Sequence, residues 1–209
     1  MSKLDKMLLG TGNAGKVREV TGYMRDLPLE VVTLDDVFDP RPPEPAEDGD
    51  TFLANAVIKA TYYARLAGIP CLADDSGLCL DALNGFPGVY AHRFAITEAN
   101  PDPSDADRNE ALVRILNEHG LTESSASYQC AVALVAPDGS VMLQAQRSLE
   151  GMFRSVPSGT NGFSFDPFFY VKRYGYKRTC ADLTLAEKNS ISHRGRALAA
   201  IRDGLAAML

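Results

Sequence analysis

Four stretches of this sequence carry side chains whose types and spacing suit phosphate or nucleobase chemistry. The first is Gly10-Thr11-Gly12-Asn13-Ala14-Gly15-Lys16. Backbone N–H groups at a helix start, joined to a lysine, make an anion site. Gly10, Gly15 and Lys16 also fit G-x-x-x-x-G-K, a phosphate-cradling loop that then requires Ser or Thr to hold magnesium. Here the next residue is Val17, and a hydrophobe cannot ligate a metal. A plain strand-to-helix turn with an exposed lysine fits the same residues. The second stretch is Asp74-Asp75-Ser76-Gly77. Adjacent carboxylates are costly unless solvated, hydrogen-bonded or on a cation. Oxygen ligands suit magnesium, which takes one or two carboxylates when substrate phosphates supply the rest. Glu44, Glu47 and Asp48 offer further carboxylates, whereas Asp-Ser-Gly by itself is a common turn.

The third is Lys188-Asn189-Ser190-Ile191-Ser192-His193-Arg194. His193 and Arg194 fall in the first turn of a helix, where the dipole disfavours cations. Positive groups held there suit a nearby anion or carbonyl, and a solvated cationic cluster fits equally. The fourth is Phe163-Ser164-Phe165-Asp166-Pro167-Phe168-Phe169. Aromatics beside a carboxylate can stack a base and bond its edge. Phe168 and Phe169 read as core, and His92 and His119 as structural or surface residues.

The elements that must position these groups alternate between strand and helix, which is α/β patterning. Met7, Leu8 and Leu9 form a short strand, and Val17, Val20, Met24 and Leu27 recur at helical spacing. A second strand covers residues 31–34. Four prolines between Pro40 and Pro45 then force an extended loop. Thr51 caps a helix to about Ala67, with Phe52, Ala56, Ala60, Tyr63 and Ala67 on one stripe. Asn55 and Lys59 are four apart and project together. Residues 70–73 read as a strand ending at Asp74, and residues 78–83 as a separate short strand. A helix covers about 107–119. Residues 128–136 and 141–149 flank Pro137-Asp138-Gly139-Ser140, a hairpin turn. Thr184 and Glu187 fit a capping box, and Ser192 caps a final helix.

The chain has 209 residues and a formal net charge of −6. That length fits one domain, 1–209, with or without a lobe. The acidic balance argues against a broad nucleic-acid-binding face. The longest apolar run, about 130–137, falls short of the ~20 residues of a membrane span. The four cysteines form no C-x-x-C pair, and reduced thiols in the cytoplasm are the reading taken.

In order and combination, these blocks resemble the inosine/xanthosine triphosphate pyrophosphatase family. Its T-G-N-x-x-K is matched by Thr11, Gly12, Asn13 and Lys16, and its F-x-x-N-A-x-x-K-A by Phe52, Asn55, Ala56, Lys59 and Ala60. A-D-D-S-G-L is matched from Ala73 to Leu78, and G-x-P-G-V-Y from Gly85 to Tyr90, followed by Arg93 and Phe94. F-G-Y-D-P-x-F stands as residues 163–169, and K-x-x-I-S-H-R as Lys188, Ile191, Ser192, His193 and Arg194. The matches span residues 11–198.

The resemblance implies an elongated α/β fold with a long mixed central sheet flanked by helices. Two lobes would hold the substrate in a cleft between them. It implies magnesium-dependent hydrolysis of ITP, dITP and XTP to the monophosphate and pyrophosphate, by a cytoplasmic homodimer with no nucleic-acid or membrane partner. Asp75 would be catalytic and bind magnesium, with Glu47, or Glu44 in its place, as second carboxylate. Thr11, Gly12, Asn13, Ala14, Gly15 and Lys16 would wrap the phosphates, and Lys16, Lys59 and Lys188 would offset their charge. Asn55 and Ser76 would lie at the site. Phe163, Ser164, Phe165 and Asp166 would hold the base, and His193 and Arg194 would donate to the purine 6-carbonyl. The chain departs from the pattern at Ser164 and Phe165, where the family has glycine and tyrosine. It departs again at His92, usually alanine, and at Ala46-Glu47, usually paired glutamates. The competing readings are a P-loop-like kinase or NTPase and a non-catalytic nucleotide sensor.

Overall fold

A computed structural model describes residues 4–209. The apolar run at the start forms β1 (Lys6–Leu9), with Met7, Leu8 and Leu9 buried. Helix α1 (Ala14–Met24) follows and returns the chain to β2 (Glu30–Val32), which pairs parallel to β1. Parallel neighbours require such a crossover. After the short α2 (Leu34–Val37), the proline-bearing segment has no regular structure, as its composition dictates. Helix α3 (Phe52–Ala67) then begins where expected, the Thr51 hydroxyl accepting from Ala54 N–H at 3.1 Å. It leads into β3 (Cys71–Leu80), also parallel to β1.

Strand β3 corrects the sequence reading. Asp74, Asp75, Ser76 and Gly77 are not a turn between two short strands but the interior of one ten-residue strand. Low strand propensity loses to pairing and burial, because both aspartates have partners, described below. Residues 81–83 form a 3-10 turn rather than the end of a strand.

Helix α4 (Asp105–Glu118), capped by Ser104, precedes the hairpin of β4 (Glu123–Val135) and β5 (Val141–Arg154). The hairpin closes through Ala136 N–H to Ser140 C=O at 2.9 Å. β6 (Phe169–Val171) pairs antiparallel to β5. The chain ends with α5 (Leu185–Ile191), carrying the Thr184–Glu187 capping box, and α6 (His193–Met208). Six strands therefore form one mixed sheet in the order β2-β1-β3-β4-β5-β6.

Two compact units divide the chain. The first comprises residues up to Asp75, Cys130–Arg147 and Arg196–Leu209. Its main core includes Met7, Met24, Val132, Leu134, Leu198 and Leu205. A smaller cluster gathers Leu8, Val32, Leu34, Tyr63 and Cys71. The second unit comprises Ser76–Gln129 and Ser148–Gly195. Its core includes Leu80, Leu112, Leu116, Tyr128, Phe153 and Phe169. Full burial of one such aromatic is worth roughly 1.5–3 kcal/mol. All four cysteines are free thiols. Among the described residues no helix is long and apolar enough to cross a membrane.

Candidate active site

The first unit gathers the acidic and lysine-bearing blocks. Gly10, just past β1, makes room for this: a Cβ there would stand 2.8 Å from Cys71 Sγ and 3.1 Å from the Tyr63 ring. The missing side chain lets α3 lie close against the ends of β1 and β3. One turn of α3 then presents Asn55 and Lys59 together. Asn55 is fully buried, donates from Nδ2 to Asp75 Oδ2 at 3.0 Å and accepts from Gly49 N–H at 2.8 Å. Lys59 Nζ bonds Glu47 Oε1 at 2.7 Å and the Asp74 carbonyl at 3.2 Å. Lys16, from α1, pairs with Asp74 Oδ2 at 2.9 Å.

Two neighbouring side chains of β3 are thus served differently: Asp74 by an ammonium and Asp75 by a neutral amide. Burial pushes the Asp75 carboxyl above its ordinary value, against the Asn55 hydrogen bond and the Lys59 charge, while Glu47 adds to the rise. Burial draws Lys59 down, but the hydrogen bond and charge of Glu47, with both aspartates, leave it above its ordinary value. The charges of Lys59 and Lys16 pull the Asp75 carboxyl the other way, and burial outweighs them.

The glycine-rich turn is closed by its own asparagine. Asn13 Oδ1 accepts from Gly15 N–H at 2.8 Å and Lys16 N–H at 3.1 Å, capping α1, and Asn13 N–H bonds the Thr11 hydroxyl at 3.2 Å. Two amides that a P-loop turns toward phosphate are therefore occupied by a cap. Gly12 and Ala14 stay exposed. Arg41, from the proline-bearing loop, lies against Gly12, its Nη1 2.9 Å from where a Cβ would sit, and pairs with Asp35. Sequence reasoning missed Arg41, a lone arginine with no informative spacing.

The second unit gathers the aromatic and basic blocks. Residues 163–166 form a loop that turns Phe163 outward, 61% exposed, and Phe165 inward, 3% exposed. Phe165 joins the core beside Phe94, ring centroids 6.4 Å apart. Asp166 is buried, and both of its oxygens have protein partners. Oδ2 accepts from Phe163 N–H at 2.9 Å and Lys188 Nζ at 2.5 Å, and Oδ1 from the Tyr128 hydroxyl at 3.4 Å. Lys188 Nζ also stands 4.4 Å from the centre of the Phe163 ring. Lys188 therefore groups with the aromatic loop, whereas Lys16 and Lys59 group with the carboxylates.

At the start of α6, the His193 ring stacks on Tyr128 with centroids 5.0 Å apart and planes within 10°. Arg194, buried, donates from Nη2 to the Ser76 hydroxyl at 3.1 Å. Ser192 Oγ caps the helix by accepting from Gly195 N–H at 2.9 Å. Tyr128 went unnoticed in the sequence because a strand tyrosine reads as core. Burial and the Asp166 charge hold its hydroxyl protonated, well above the usual range.

The family model described as the Ham1 family matches residues 7–204. The chain is 41% identical over 202 residues, 97% of each chain, to a protein of Geobacter sulfurreducens named dITP/XTP pyrophosphatase. It is 42% identical over 204 residues, 98% of this chain and 96% of the other, to a protein of the same name from Symbiobacterium thermophilum. Among solved structures it is similar to a HAM1 protein from Coxiella burnetii. The TM-score there is 0.87 at 36% identity, over 97% of this chain and 99% of that one.

Proposed function

The chain belongs to the Ham1 family, and we propose from that premise how its residues act. It is a nucleoside-triphosphate pyrophosphatase that hydrolyses non-standard purine nucleotides such as ITP, dITP and XTP to the monophosphate and pyrophosphate. The observation that carries the residue assignment is the buried cluster of Asp74, Asp75, Asn55 and Lys59 with Glu47 and Lys16. It sets carboxylates beside two ammonium groups, which suits a metal and a polyanion together.

Magnesium fits this donor set. The carboxylates offer hard oxygens, and burial penalises the Asp75 charge, a penalty that a bound cation would offset. Among the described residues no three His, Cys, Asp or Glu side chains gather as a metal cage. Magnesium asks for only one or two carboxylates when phosphates complete its shell. Asp75 would hold it, with Glu47 as second carboxylate. When bound, the ion polarises phosphate oxygens and lowers the pKa of water.

Asp75 takes the proton of the attacking water on a carboxylate oxygen, and Asn55 fixes the orientation of that carboxylate. Lys16 and Lys59 offset the triphosphate charge, since electrostatic stabilisation is the main resource in phosphoryl transfer. Phe163 stacks the purine. Asp166 and Lys188 hold the loop that presents it, and Phe165 anchors that loop in the core. Arg194 and His193 donate to the 6-carbonyl of hypoxanthine or xanthine. Adenine offers an amino donor there, and a dry pocket can reject such a mismatch by up to ~10⁴-fold. A cytoplasmic homodimer completes the proposal; four free thiols suit a reducing compartment.

A product assay tests this reading. Purified protein with magnesium is given ITP, XTP or ATP, and pyrophosphate and orthophosphate are scored separately. The expected result is pyrophosphate and monophosphate from ITP and XTP, little from ATP, and loss of turnover with retained binding in Asp75→Asn. Orthophosphate as the product, or near-native turnover by Asp75→Asn, would overturn it.

A further inference from the structure

The Phe163 loop is gripped from a helix that no motif singled out. Ser164 sits at φ +55°, a left-handed conformation that is costly for a residue with a Cβ. Both of its backbone polar groups are taken by side chains one turn apart on α4. Ser164 N–H donates to Asp105 Oδ2 at 2.9 Å, and Ser164 C=O accepts from Asn109 Nδ2 at 3.0 Å. The Asn109 Oδ1 is buried with no hydrogen-bond partner among the described residues, so the loop orients this amide. Asp105 is steadied in turn by Arg108, Nη2 to Oδ1 at 2.7 Å, while Arg108 Nη1 bonds the Pro103 carbonyl at 2.6 Å. On the neighbouring residue, Phe163 N–H is held by Asp166. A Cβ on Gly162 would fall within 2.9 Å of the Asp166 carboxyl carbon, which leaves the loop no slack.

We propose that Asp105 and Asn109 are positioning residues for purine recognition: they hold Ser164 left-handed and so keep the Phe163 ring turned outward. The proposal rests on the reading of Phe163 as the ring that stacks the purine. A free loop would spend part of its time with Ser164 in ordinary conformations, and nucleotide binding would have to restore order. The clamp removes that ordering from the binding step. It also explains how this chain carries serine where the resembled family has glycine: two side-chain hydrogen bonds offset the conformational cost of the Cβ.

The test uses the full chain. Steady-state pyrophosphate release from ITP is measured for Asp105→Ala, Asn109→Ala, the double variant, and the double variant carrying Ser164→Gly. Loss of one ordinary hydrogen bond corresponds to about 3–10-fold in an equilibrium. KM is expected to rise by about that factor in each single variant, with kcat within about twofold. Ser164→Gly is expected to return most of the loss, because glycine adopts the left-handed conformation unaided. The chain has no tryptophan, so Phe163→Trp places a single, selectively excitable indole on the loop. In the otherwise native chain ITP should quench it. In the Asp105→Ala, Asn109→Ala background its anisotropy without nucleotide should fall and quenching should require more ITP.

Absence of quenching in the otherwise native chain would overturn the stacking role of Phe163, and the proposal with it. Quenching with unchanged anisotropy and KM in the double variant would overturn the clamp alone. A joint fall in kcat and melting temperature that Ser164→Gly does not reverse would also overturn it, marking these residues as structural.

Discussion

Asn55 allows the electrostatics of the carboxylate cluster to be tested with almost no change of shape. Its amide is buried between Gly49 N–H and Asp75 Oδ2. Asn55→Asp keeps the acceptor for Gly49 but turns the donor facing Asp75 into a second carboxylate oxygen about 3.0 Å away. Two like charges at that distance repel by about 5 kcal/mol at an effective dielectric of ~20. That exceeds what the pair can sustain ionised, so one proton is shared between them at neutral pH. In the proposed role Asp75 would then no longer accept a proton freely, and loss of a general base costs about 10²–10⁴-fold. Asn55→Ala removes the donor without adding charge. The lost hydrogen bond to a charged group is worth about 1.5–3 kcal/mol, a fall of about 3–12 °C in melting temperature for a chain of this size. Pyrophosphate release from ITP is measured across a magnesium titration, which separates altered metal affinity from loss of the base, with thermal melts alongside. The expected order of activity is native, then Asn55→Ala, then Asn55→Asp at least about 100-fold below native. An Asn55→Asp enzyme within about threefold of native would refute the reasoning, because a 5 kcal/mol repulsion cannot leave so small a trace.

Three further outcomes follow from the same geometry. Arg194→Ala should lower discrimination between ITP and ATP by about tenfold or more, and an unchanged ratio of kcat/KM values would remove Arg194 from base reading. Gly151→Ala would push a Cβ to within 2.6 Å of the Tyr170 carbonyl oxygen and into the buried Phe169 ring. It should destabilise by about 3 kcal/mol, and a melting temperature unmoved by more than about 2 °C would contradict that packing. Glu187 is held at about 2 by the hydrogen bonds and charge of Arg178 and by the Thr184 cap. A depressed carboxyl stabilises the fold above its unfolded value, and the contribution is lost as pH falls through the folded value. The cap of α5, the helix that carries Lys188, should therefore persist down to about pH 2. A side-chain NMR titration midpoint near 4.5, the ordinary glutamate value, would show the Arg178 contact to be absent.

Local physics left its marks in the amino-acid sequence. Caps at Thr51, Ser192 and Thr184 with Glu187 were readable because a side chain and the helix start it serves are neighbours in the chain. So were the hairpin around Pro137-Asp138-Gly139-Ser140 and the projection of Asn55 with Lys59, set by turn chemistry and helical spacing. The ordered motifs indicated the family and its reaction. Other features could not be read locally. Asp74, Asp75, Ser76 and Gly77 have turn composition, yet they lie inside β3 because Lys16, Asn55 and the neighbouring strands satisfy them there. Lys188 was grouped with the phosphate lysines by its charge, and its contacts with Asp166 and Phe163 had no local signal. Phe163 and Phe165, two residues apart and alike in type, were parted by the fold into a surface ring and a core ring. The grip of Asp105 and Asn109 on Ser164 joins positions more than fifty residues apart in the chain. Such pairings have no local periodicity or propensity to announce them; they exist only once burial of each unit's core has fixed which distant segments meet.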